Sequence, residues 1–438
     1  MTVDLGLSKK LTIILVAVLV SVLTTAIILN NQTSQSDLAT VTGTIETDNG
    51  DLKINWGRFE SYDIELSNTL TITKSGVYHL TGSLNDQNVI VNVVDGKVKL
   101  ILDNVTISNS TGPAVVCYAA DDLVIELVGE NKLSDGKTYA SSYDEDVTGA
   151  IYSKADLTFQ GDGTLNLTAN YQDGIVGKDD VKFNSGTYNI TAIDDGIRGK
   201  DSVYVVDGDF TISAKGDAIK STNETTVGKG FVLIEDGVIN IKTSLEGIEG
   251  INVIIDGGNL SVNASDDGLN ASTSISINDG KVYINASGDG IDSNGYLYFN
   301  GGTVAIDGPT NNGNGALDSN YGIFMNGGTV IAVGASGMAE SLGSSSSVYN
   351  VSIYLTSYQS AGTEIEIKDS AGETIVSHTS AKTFNHIAAG STSFKQGETY
   401  TIYINGNKYD TFTIEPITTT VGSGGMEQGD MMPGNNRR

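Results

Sequence analysis

Apolar and polar residues alternate in short runs between positions 149 and 336, and most of these runs follow a glycine. Two residues after each such glycine stands a large apolar side chain, and four residues after it stands Ile, Val or, once, Ala. The glycines are Gly186, Gly208, Gly237, Gly258, Gly280, Gly302 and Gly328. An apolar period of two, in runs bounded by Gly, Asp and Asn, predicts β-strands with one buried face.

The strands are accompanied by an acidic dipeptide that recurs at a fixed spacing. Its copies are Asp173-Gly174, Asp195-Gly196, Asp267-Gly268 and Asp289-Gly290, with Asp217-Ala218 and Glu246-Gly247 as variants. Neighbouring copies are 21 or 22 residues apart, except for one step of 29. Gly149 and Gly315 stand where a further carboxylate would be expected. A strand motif with this period is typical of a stacked solenoid. We therefore predict an all-β protein, a right-handed parallel β-helix with rungs of about 22 residues.

The segments on either side of the repeat predict the domain organisation. Residues 1–30 contain Lys9-Lys10 followed by an uncharged apolar run, which predicts a signal anchor with a single membrane span or a signal peptide. No good small-x-small cleavage site follows, which favours the anchor. Residues 31–50 read as a linker, 51–340 as the β-helix, 341–417 as a small C-terminal β module or cap, and 418–438 as a disordered tail. Within the module, the residues around Asn405-Gly406 predict a hairpin.

Composition and charge narrow the class of function. The formal net charge of −28 argues against nucleic acid as a partner, because phosphates would be repelled. It suits an extracellular protein, at the cell surface or secreted, that holds cations. The single cysteine, Cys117, lies in an apolar run and is predicted to be a small buried hydrophobe. We expect the chain to act as a monomer.

Stacked rungs would bring the acidic residues into one file, because equivalent residues of successive rungs lie roughly 4.8 Å apart. Two charges at that spacing repel by about 0.9 kcal/mol in water and by about 3.5 kcal/mol at an effective dielectric of about 20. The carboxylates must splay into solvent, hold protons or share cations. The residues concerned are Asp173, Asp195, Asp217, Glu246, Asp267 and Asp289, with Asp194 and Asp266 each adding a second carboxylate.

Oxygen ligands on turns suit Ca²⁺, which takes six to eight of them in irregular geometry, so we predict calcium on these eight residues. The alternative is a turn role, in which each Asp accepts a hydrogen bond from the backbone N–H two residues on. Neither the EF-hand pattern nor the nonapeptide calcium repeat fits the sequence. The scattered His79, His378 and His386 and the lack of a cysteine pair argue against a transition metal.

A shorter basic series accompanies the acidic one on three adjacent predicted rungs. It consists of Lys178, Arg198, Lys200 and Lys220. One interpretation is salt bridging to the aspartates. The other is a ligand-binding groove for an anionic polymer, in which the basic residues meet uronate carboxylates and calcium bridges polymer to protein. Tyr171, Tyr204 and Tyr283 could present rings to sugars, whereas its column position predicts that Tyr188 is buried.

The rung pattern and four further stretches resemble a known family. They are residues 76–84 (Gly-Val-Tyr-His-Leu-Thr-Gly-Ser-Leu), residues 100–107, residues 112–114 and the Gly/Met-rich C-terminal tail. The chain resembles the carbohydrate-binding domain-containing proteins of clostridia and their relatives, which are surface β-helices similar to pectate lyases. The resemblance implies binding of cellulose or pectic acid, with calcium held by Asp-rich turns. Positions 173, 195, 217, 267 and 289 match the pattern, and Gly149, Glu246 and Gly315 depart from it.

Three functions follow from these patterns. We favour a non-catalytic, extracellular polysaccharide-binding β-helix for plant cell-wall glycans, with calcium on the stacked Asp turns. The first alternative is a calcium-dependent, pectate-type polysaccharide lyase. In that case Lys200, Arg198 or Lys220 would be the catalytic residues, because β-elimination needs a cation at the uronate carboxylate and a base at its C5 proton. The second alternative is a structural adhesin or spacer, in which the rungs supply only length and stiffness.

Overall fold

The computed structural model describes residues 54–423, which are almost entirely β-structure. They contain 38 strands, numbered here β1 to β38 in chain order, and one 3-10 turn at Trp56–Arg58. Residues 54–224 and 229–423 form one compact unit, with residues 225–228 grouped apart from it. No helix among the described residues is long and apolar enough to cross a bilayer.

Three parallel faces form a solenoid of about 11 turns, as the period of 22 predicts. The first face comprises β1 (Ser61–Leu66), β3 (Gly76–Asn85), β5 (Lys97–Asp103), β8 (Asp122–Val128), β11 (Asp156–Gly161), β14 (Asp180–Phe183), β17 (Ser202–Val205), β20 (Phe231–Ile234), β22 (Ile248–Ile255), β24 (Leu269–Ile277), β27 (Tyr296–Phe299) and β30 (Gly322–Met325).

The second face shares β22 and β24, which turn the corner without a break. Its other strands are β2 (Leu70–Ile72), β4 (Val89–Asn92), β7 (Val115–Ala119), β10 (Gly149–Ser153), β13 (Asp173–Gly177), β16 (Ile197–Gly199), β19 (Ile219–Ser221), β26 (Ile291–Ser293) and β29 (Leu317–Ser319).

The third face begins with the end of β3, which pairs with β6. Its strands are β6 (Thr106–Ser108), β9 (Glu130–Ser134), β12 (Thr164–Thr168), β15 (Thr187–Thr191), β18 (Asp209–Ser213), β21 (Val238–Ser244), β23 (Asn259–Ala264), β25 (Lys281–Ala286), β28 (Thr303–Asp307) and β31 (Thr329–Gly334). The seven predicted turn glycines precede the strands of this face, and all have positive φ.

The core is a continuous stack of inward-facing side chains, because every rung repeats the same alternation in register. Phe159 stacks on Phe183 with ring centroids 5.0 Å apart, and Tyr188 stacks on Phe210 at 4.7 Å. The prediction that Tyr188 is a core residue is confirmed, since its side chain is fully buried. Cys117 is also buried as predicted, and burial raises the pKa of its thiol to about 11.

The strands after β31 close the solenoid with antiparallel pairing and a second core. β35 (Phe384–Ser391) pairs antiparallel with both β31 and β32 (Asn350–Gln359). A separate four-stranded sheet contains β33 (Glu364–Lys368), β34 (Thr374–Thr379), β36 (Thr399–Ile404) and β37 (Asn407–Thr413). β36 and β37 form the predicted hairpin, in which Asn405 and Gly406 both have positive φ.

One predicted boundary is wrong, because the tail does not begin at residue 418. Thr418–Val421 form β38, which pairs in parallel with β32. Three consecutive threonines read as a polar tail in the sequence, yet their β-branched side chains suit an extended strand. The predicted anchor, the linker and the rest of the tail lie outside the described residues.

Candidate functional site

The acidic residues of the repeat form a single file at the start of the second-face strands, as the sequence predicts. Each aspartate accepts a hydrogen bond through Oδ1 from the backbone N–H of the equivalent residue one rung later. The donor and acceptor pairs are Asp195 to Asp173 (3.2 Å), Asp217 to Asp195 (2.9 Å), Glu246 to Asp217 (3.1 Å), Asp289 to Asp267 (2.6 Å) and Gly315 to Asp289 (2.5 Å). These hydrogen bonds connect each aspartate to the next rung, whereas the alternative prediction placed them within a single turn. We call the series of bonds the ladder.

Glu246 interrupts this ladder. Its carboxylate accepts hydrogen bonds from the Asn270 amide, at 3.1 Å to each oxygen. The seven extra residues of the 29-residue step lie between β19 and β20, so the backbone of Glu246 keeps its register and its N–H bonds to Asp217. The longer side chain of glutamate carries the carboxylate to Asn270 instead. The file is thus divided into a first half, Asp173 to Asp217, and a second half, Asp267 to Asp289.

In the four Asp-Gly dipeptides of the file, the neighbouring rung leaves no room for a side chain on the glycine. At Gly268, an added Cβ would collide with the carbonyl oxygen of Gly290 and with Cγ2 of Ile284. Alanine occupies the equivalent position at Ala150, Ala218 and Ala316, so the restriction is local to the rungs that carry glycine. Close stacking of these glycine rungs brings successive carboxylates together.

A second column of outward-facing side chains lies three residues after the acidic file on each rung. Its charges determine whether the carboxylates of the file are neutralised. Strand register places these side chains one above another: Val176, Arg198, Lys220, Glu249, Asn270, Asp292 and Asp318. The column is basic beside the first half of the acidic file and neutral or acidic beside the second half. The two halves of the site therefore differ in chemistry although their backbones are equivalent.

In the first half, basic side chains neutralise the aspartates. Arg198 donates to Asp173, whose carboxylate also accepts from Thr148 at 2.7 Å. Lys220 Nζ lies 2.8 Å from Asp217 Oδ2 and also contacts Glu249. The salt-bridge interpretation is thus confirmed for Arg198 and Lys220.

The other two basic residues do not join this column. Lys178 Nζ lies 3.5 Å from Asp146, in the loop between β9 and β10, and Lys200 is more than half exposed, 4.0 Å from Asp201. Sequence spacing placed all four basic residues together, but Lys178 and Lys200 lie two positions beyond the column. There the chain turns away from the second face.

The chemistry of Lys220 disfavours it as a general base. Burial opposes its charged form, but hydrogen bonds to Asp217 and Glu249 outweigh this and raise the pKa of its amine. A lysine must be unprotonated to take a proton from a substrate. Lys220 is therefore held in the form that cannot do so.

In the second half, three carboxylates come together without a basic partner. Oxygens of Asp267, Asp289 and Asp292 lie within 4.8 Å of one another; we call these three residues the acidic cluster. Within residues 54–423, no Lys, Arg or His nitrogen lies within 4.0 Å of their carboxylates. Asp318 continues the second column beyond the cluster.

Burial and mutual repulsion favour the protonated forms of these carboxylates. Burial, with the charges of Asp267 and Asp318 adding to it, raises the pKa of Asp289 to about 7 and that of Asp292 to about 6. Burial and the charge of Asp318 raise the pKa of Glu340 to about 7. In the remainder of the file, burial raises the pKa of Asp195 and of Glu246 to about 7. A bound cation would favour the ionised forms instead.

The predicted second carboxylates, Asp194 and Asp266, lie at the exposed edge of the file. Asp194 groups with Asp173 and Asp195, where Arg198 also sits. Of the tyrosines proposed to face sugars, Tyr171 stacks on Tyr139, and the hydroxyls of Tyr204 and Tyr283 donate to Glu235 and Asp307. None of these rings stands free on the surface.

Comparison with known proteins assigns the family. Residues 67–259 and 252–404 match the family of carbohydrate-binding domain-containing proteins. The chain belongs to this family. A carbohydrate-binding domain-containing protein of Acetivibrio thermocellus is 32% identical over 126 residues, which cover 28% of this chain and 44% of that relative. The match thus spans less than half of the relative's length.

One solved structure also aligns with this carbohydrate-binding domain-containing protein. It is titled as the polysaccharide lyase-like protein from C. thermocellum, gadolinium derivative. It is 26% identical, with a TM-score of 0.45, and the alignment covers 54% of this chain and 95% of that one.

Sequence reasoning missed several site residues of this carbohydrate-binding domain-containing protein. They are Glu249, Asp292, Asp318 and Glu340. The first three occupy the second column, so reading the position three residues after each member of the file, with Gly315 in the place of an acid, would have found them. Glu340 comes after the repeat has ended, and no period marks it.

Proposed function

We propose that this chain is a non-catalytic, polysaccharide-binding protein that holds Ca²⁺ at the acidic cluster. The observation that carries the proposal is the asymmetry of the acidic file. Its first half has built-in cations in Arg198 and Lys220, whereas Asp267, Asp289 and Asp292 have no cation among the described residues. A divalent ion there would neutralise the carboxylates of the second half, as the basic residues neutralise those of the first half.

The donor set fits calcium. Three carboxylates offer six oxygens, all hard ligands, on backbone turns that fix their positions. Two of the three carboxylates use Oδ1 to accept a hydrogen bond from the next rung, which orients the group and leaves it a second oxygen. Calcium tolerates such irregular sites and completes its shell with water or ligand oxygens.

The ion would also decide which glycans bind. A chain with net charge −28 repels an acidic polymer such as a pectic acid, so binding of that class needs a bridging cation. Calcium shared between the acidic cluster and uronate carboxylates supplies the bridge. We therefore propose that binding of acidic glycans depends on calcium.

The proposal places the binding protein outside the cytoplasm, held at the cell surface by the apolar segment at residues 11–29 or secreted after its removal. Calcium is plentiful there, and cell-wall glycans are accessible. The lyase alternative is disfavoured because two of its three candidate residues, Arg198 and Lys220, are engaged with the protein's own carboxylates. The third, Lys200, is exposed beyond the second column, away from the acidic cluster.

A binding measurement with matched variants tests the proposal. The ectodomain, which is the chain without the predicted anchor (residues 31–438), is titrated with polygalacturonate in calcium and in EDTA. The variant Asp289→Asn is measured in the same way. The control is Asp162→Asn, at an exposed aspartate on a turn of the third face. We expect binding in calcium only, a loss of about tenfold or more in Asp289→Asn, and no change in the control. Asparagine keeps the acceptor for the Gly315 N–H, so the fold is preserved.

Two results would contradict the proposal. One is polysaccharide binding that is equal in calcium and EDTA and in both variants. The other is release of an unsaturated product that absorbs in the ultraviolet, which would establish the lyase.

A further inference from the structure

Four aromatic side chains cluster on the outer surface of the first face, in its last two rungs. They are Tyr296, Tyr298, Tyr321 and Phe324, and we call them the aromatic patch. Ring centroids are 5.3 Å apart for Tyr298 and Phe324, which stack, and 5.4 Å for Tyr296 and Tyr321. Tyr321 is 69% exposed, and the other three are partly exposed. No core contact accounts for this cluster, since outward positions of the rungs need no apolar side chain.

The aromatic patch lacks charge, although the protein as a whole is strongly acidic. Residues 293–306 and 319–339 contain no Asp, Glu, Lys, Arg or His. These two stretches include both rungs of the patch and the turns around it. A chain with net charge −28 thus presents one neutral surface, which would neither repel nor specifically attract a charged polymer.

Amide side chains border the aromatic patch on two sides. On the turn before these strands, Asn320 donates to Asn294 at 3.2 Å; on the turn after them, Asn326 donates to Asn300 at 2.8 Å. All four asparagines are exposed. Aromatic faces flanked by amides and phenolic hydroxyls combine apolar contact with neutral hydrogen-bonding groups. Sugar rings need this combination, since they have apolar C–H faces and a rim of hydroxyls.

The aromatic patch ends abruptly in the direction of the preceding rung. There the register partners of Tyr296 and Tyr298 are Ser274 and Ser276. Small side chains at these positions end the aromatic stack, so within residues 54–423 no ring packs on Tyr298 from that side. The outermost ring of a stack is the one that can receive a ligand ring on its face.

The aromatic patch is also continuous with the acidic cluster. Tyr296 follows Asp292 by four residues, and Tyr321 follows Asp318 by three, around the corner between the second and first faces. A glycan strand lying along one rung could therefore meet the cluster and the aromatic patch in turn.

We propose that the aromatic patch is a second glycan subsite, which stacks the rings of an uncharged polysaccharide and does not depend on calcium. The inference rests on the proposed function, because it assumes that the protein binds glycans. It adds that neutral and acidic polymers are recognised by different faces of the same rungs. The neutral occupant is favoured over an acidic one because residues 293–306 and 319–339, which form and surround the rings, contain no Lys, Arg or His.

The test uses cellohexaose and mannohexaose as neutral probes and polygalacturonate as the acidic one, by titration calorimetry with the ectodomain. The variants are Tyr298→Ala and Tyr321→Ala. The control is Tyr358→Ala, which removes a ring that is 48% exposed on β32. Circular dichroism and thermal melting establish that each variant folds, and sedimentation reports self-association.

We expect at least one neutral probe to bind equally in calcium and in EDTA, and each patch variant to weaken it by about tenfold or more. Tyr358→Ala should leave it unchanged, and all variants should keep calcium-dependent binding of polygalacturonate. Three results would overturn the inference. They are unchanged affinity in both patch variants, wild-type binding of polygalacturonate alone, and a wild-type dimer that the patch variants dissociate. The second would leave the proposed function intact, whereas binding of no polysaccharide would refute both.

Discussion

The effect of an individual aspartate in the file depends on which side chain of the second column contacts it, from its own rung or from the next one. Asp173 has Arg198 of the next rung against it, whereas Asp289 has Asp292. Removing the charge at these two equivalent positions should therefore have opposite consequences.

For Asp173→Asn we expect a loss of about 2 kcal/mol in the free energy of unfolding, because the guanidinium of Arg198 loses a buried partner. Urea unfolding at neutral pH in EDTA measures it. For Asp289→Asn under the same conditions we expect no loss or a gain, since a repelling charge is removed while the Gly315 N–H keeps its acceptor. Equal destabilisation by both substitutions would show that the charges of the second column do not determine how the aspartates of the file affect stability.

At the scale of single residues, the sequence predicts where the aspartates lie better than it predicts which side chains contact them. The Asp positions were predictable because a single residue type recurs at a fixed spacing. The second column was not, because its members are Arg, Lys, Glu, Asn and Asp, which share a location but no chemical pattern. Nor could spacing reveal that Lys178 and Lys200 project beyond this column.

The close approach of successive backbones allows each rung to form hydrogen bonds with the next one. The Asp-Gly dipeptide combines a carboxylate that bonds to the next rung with a residue that leaves room for it. On the rungs that carry glycine, the close approach of the next rung therefore depends on this residue, although the ladder itself also forms at Asp217, which Ala218 follows.

Gly268→Ala tests this dependence. A Cβ there would press on the Gly290 carbonyl oxygen and the Ile284 side chain, so we expect a loss of about 1–3 kcal/mol in unfolding free energy. The control is Gly313→Ala, at an exposed turn where the nearest atom, Asn311 Oδ1, is 3.2 Å from an added Cβ. Chemical denaturation of the two variants gives the comparison. A stable Gly268→Ala with an intact melting transition would mean that the rungs can separate without cost.

The elements themselves were largely predictable, because alternation and turn glycines are local signals. The solenoid strands and the hairpin at Asn405-Gly406 are present as predicted, and the glycines before the third-face strands have positive φ. The assignment of Thr418–Val421 to a tail was wrong because their partner, β32, lies more than 50 residues earlier in the chain. Pairing at that distance leaves no mark in local composition.

At the scale of the whole molecule, the buried carboxylates make stability depend on pH, and calcium bound as proposed would make it depend on calcium as well. Burial raises the pKa of five carboxylates to about 6 or 7; they are Asp195, Glu246, Asp289, Asp292 and Glu340. The folded state then binds more protons than the unfolded one between the ordinary and the raised pKa values. Stability contributed by these groups is present at low pH and is lost as pH rises through their folded pKa values.

We therefore expect the melting temperature in EDTA to fall as pH rises from about 4.5 to about 7.5, and added calcium to reverse the fall. Buried His386, whose pKa is lowered to about 4, acts in the opposite direction below its ordinary value of 6.5, so the contribution of the carboxylates is taken from the difference between wild type and Asp289→Asn, which share this histidine. Thermal melts across the range, with wild type and Asp289→Asn, provide the measurement. Melting that is independent of both pH and calcium would count against a shared cation.

One position in each coil is occupied in turn by Arg198, Lys220, Asn270 and Asp292. The residue at that position determines whether the coil has a basic side chain that neutralises its aspartate or lacks one. Such a scaffold can be retuned without refolding. Under the proposed function, Asn270→Lys would give its coil a cation of its own in place of a metal ion, and Lys220→Asn would leave the carboxylates of its coil to be neutralised by a metal ion. The number of calcium ions bound, and with it the calcium dependence of the proposed glycan binding, would thus change coil by coil along an unchanged backbone.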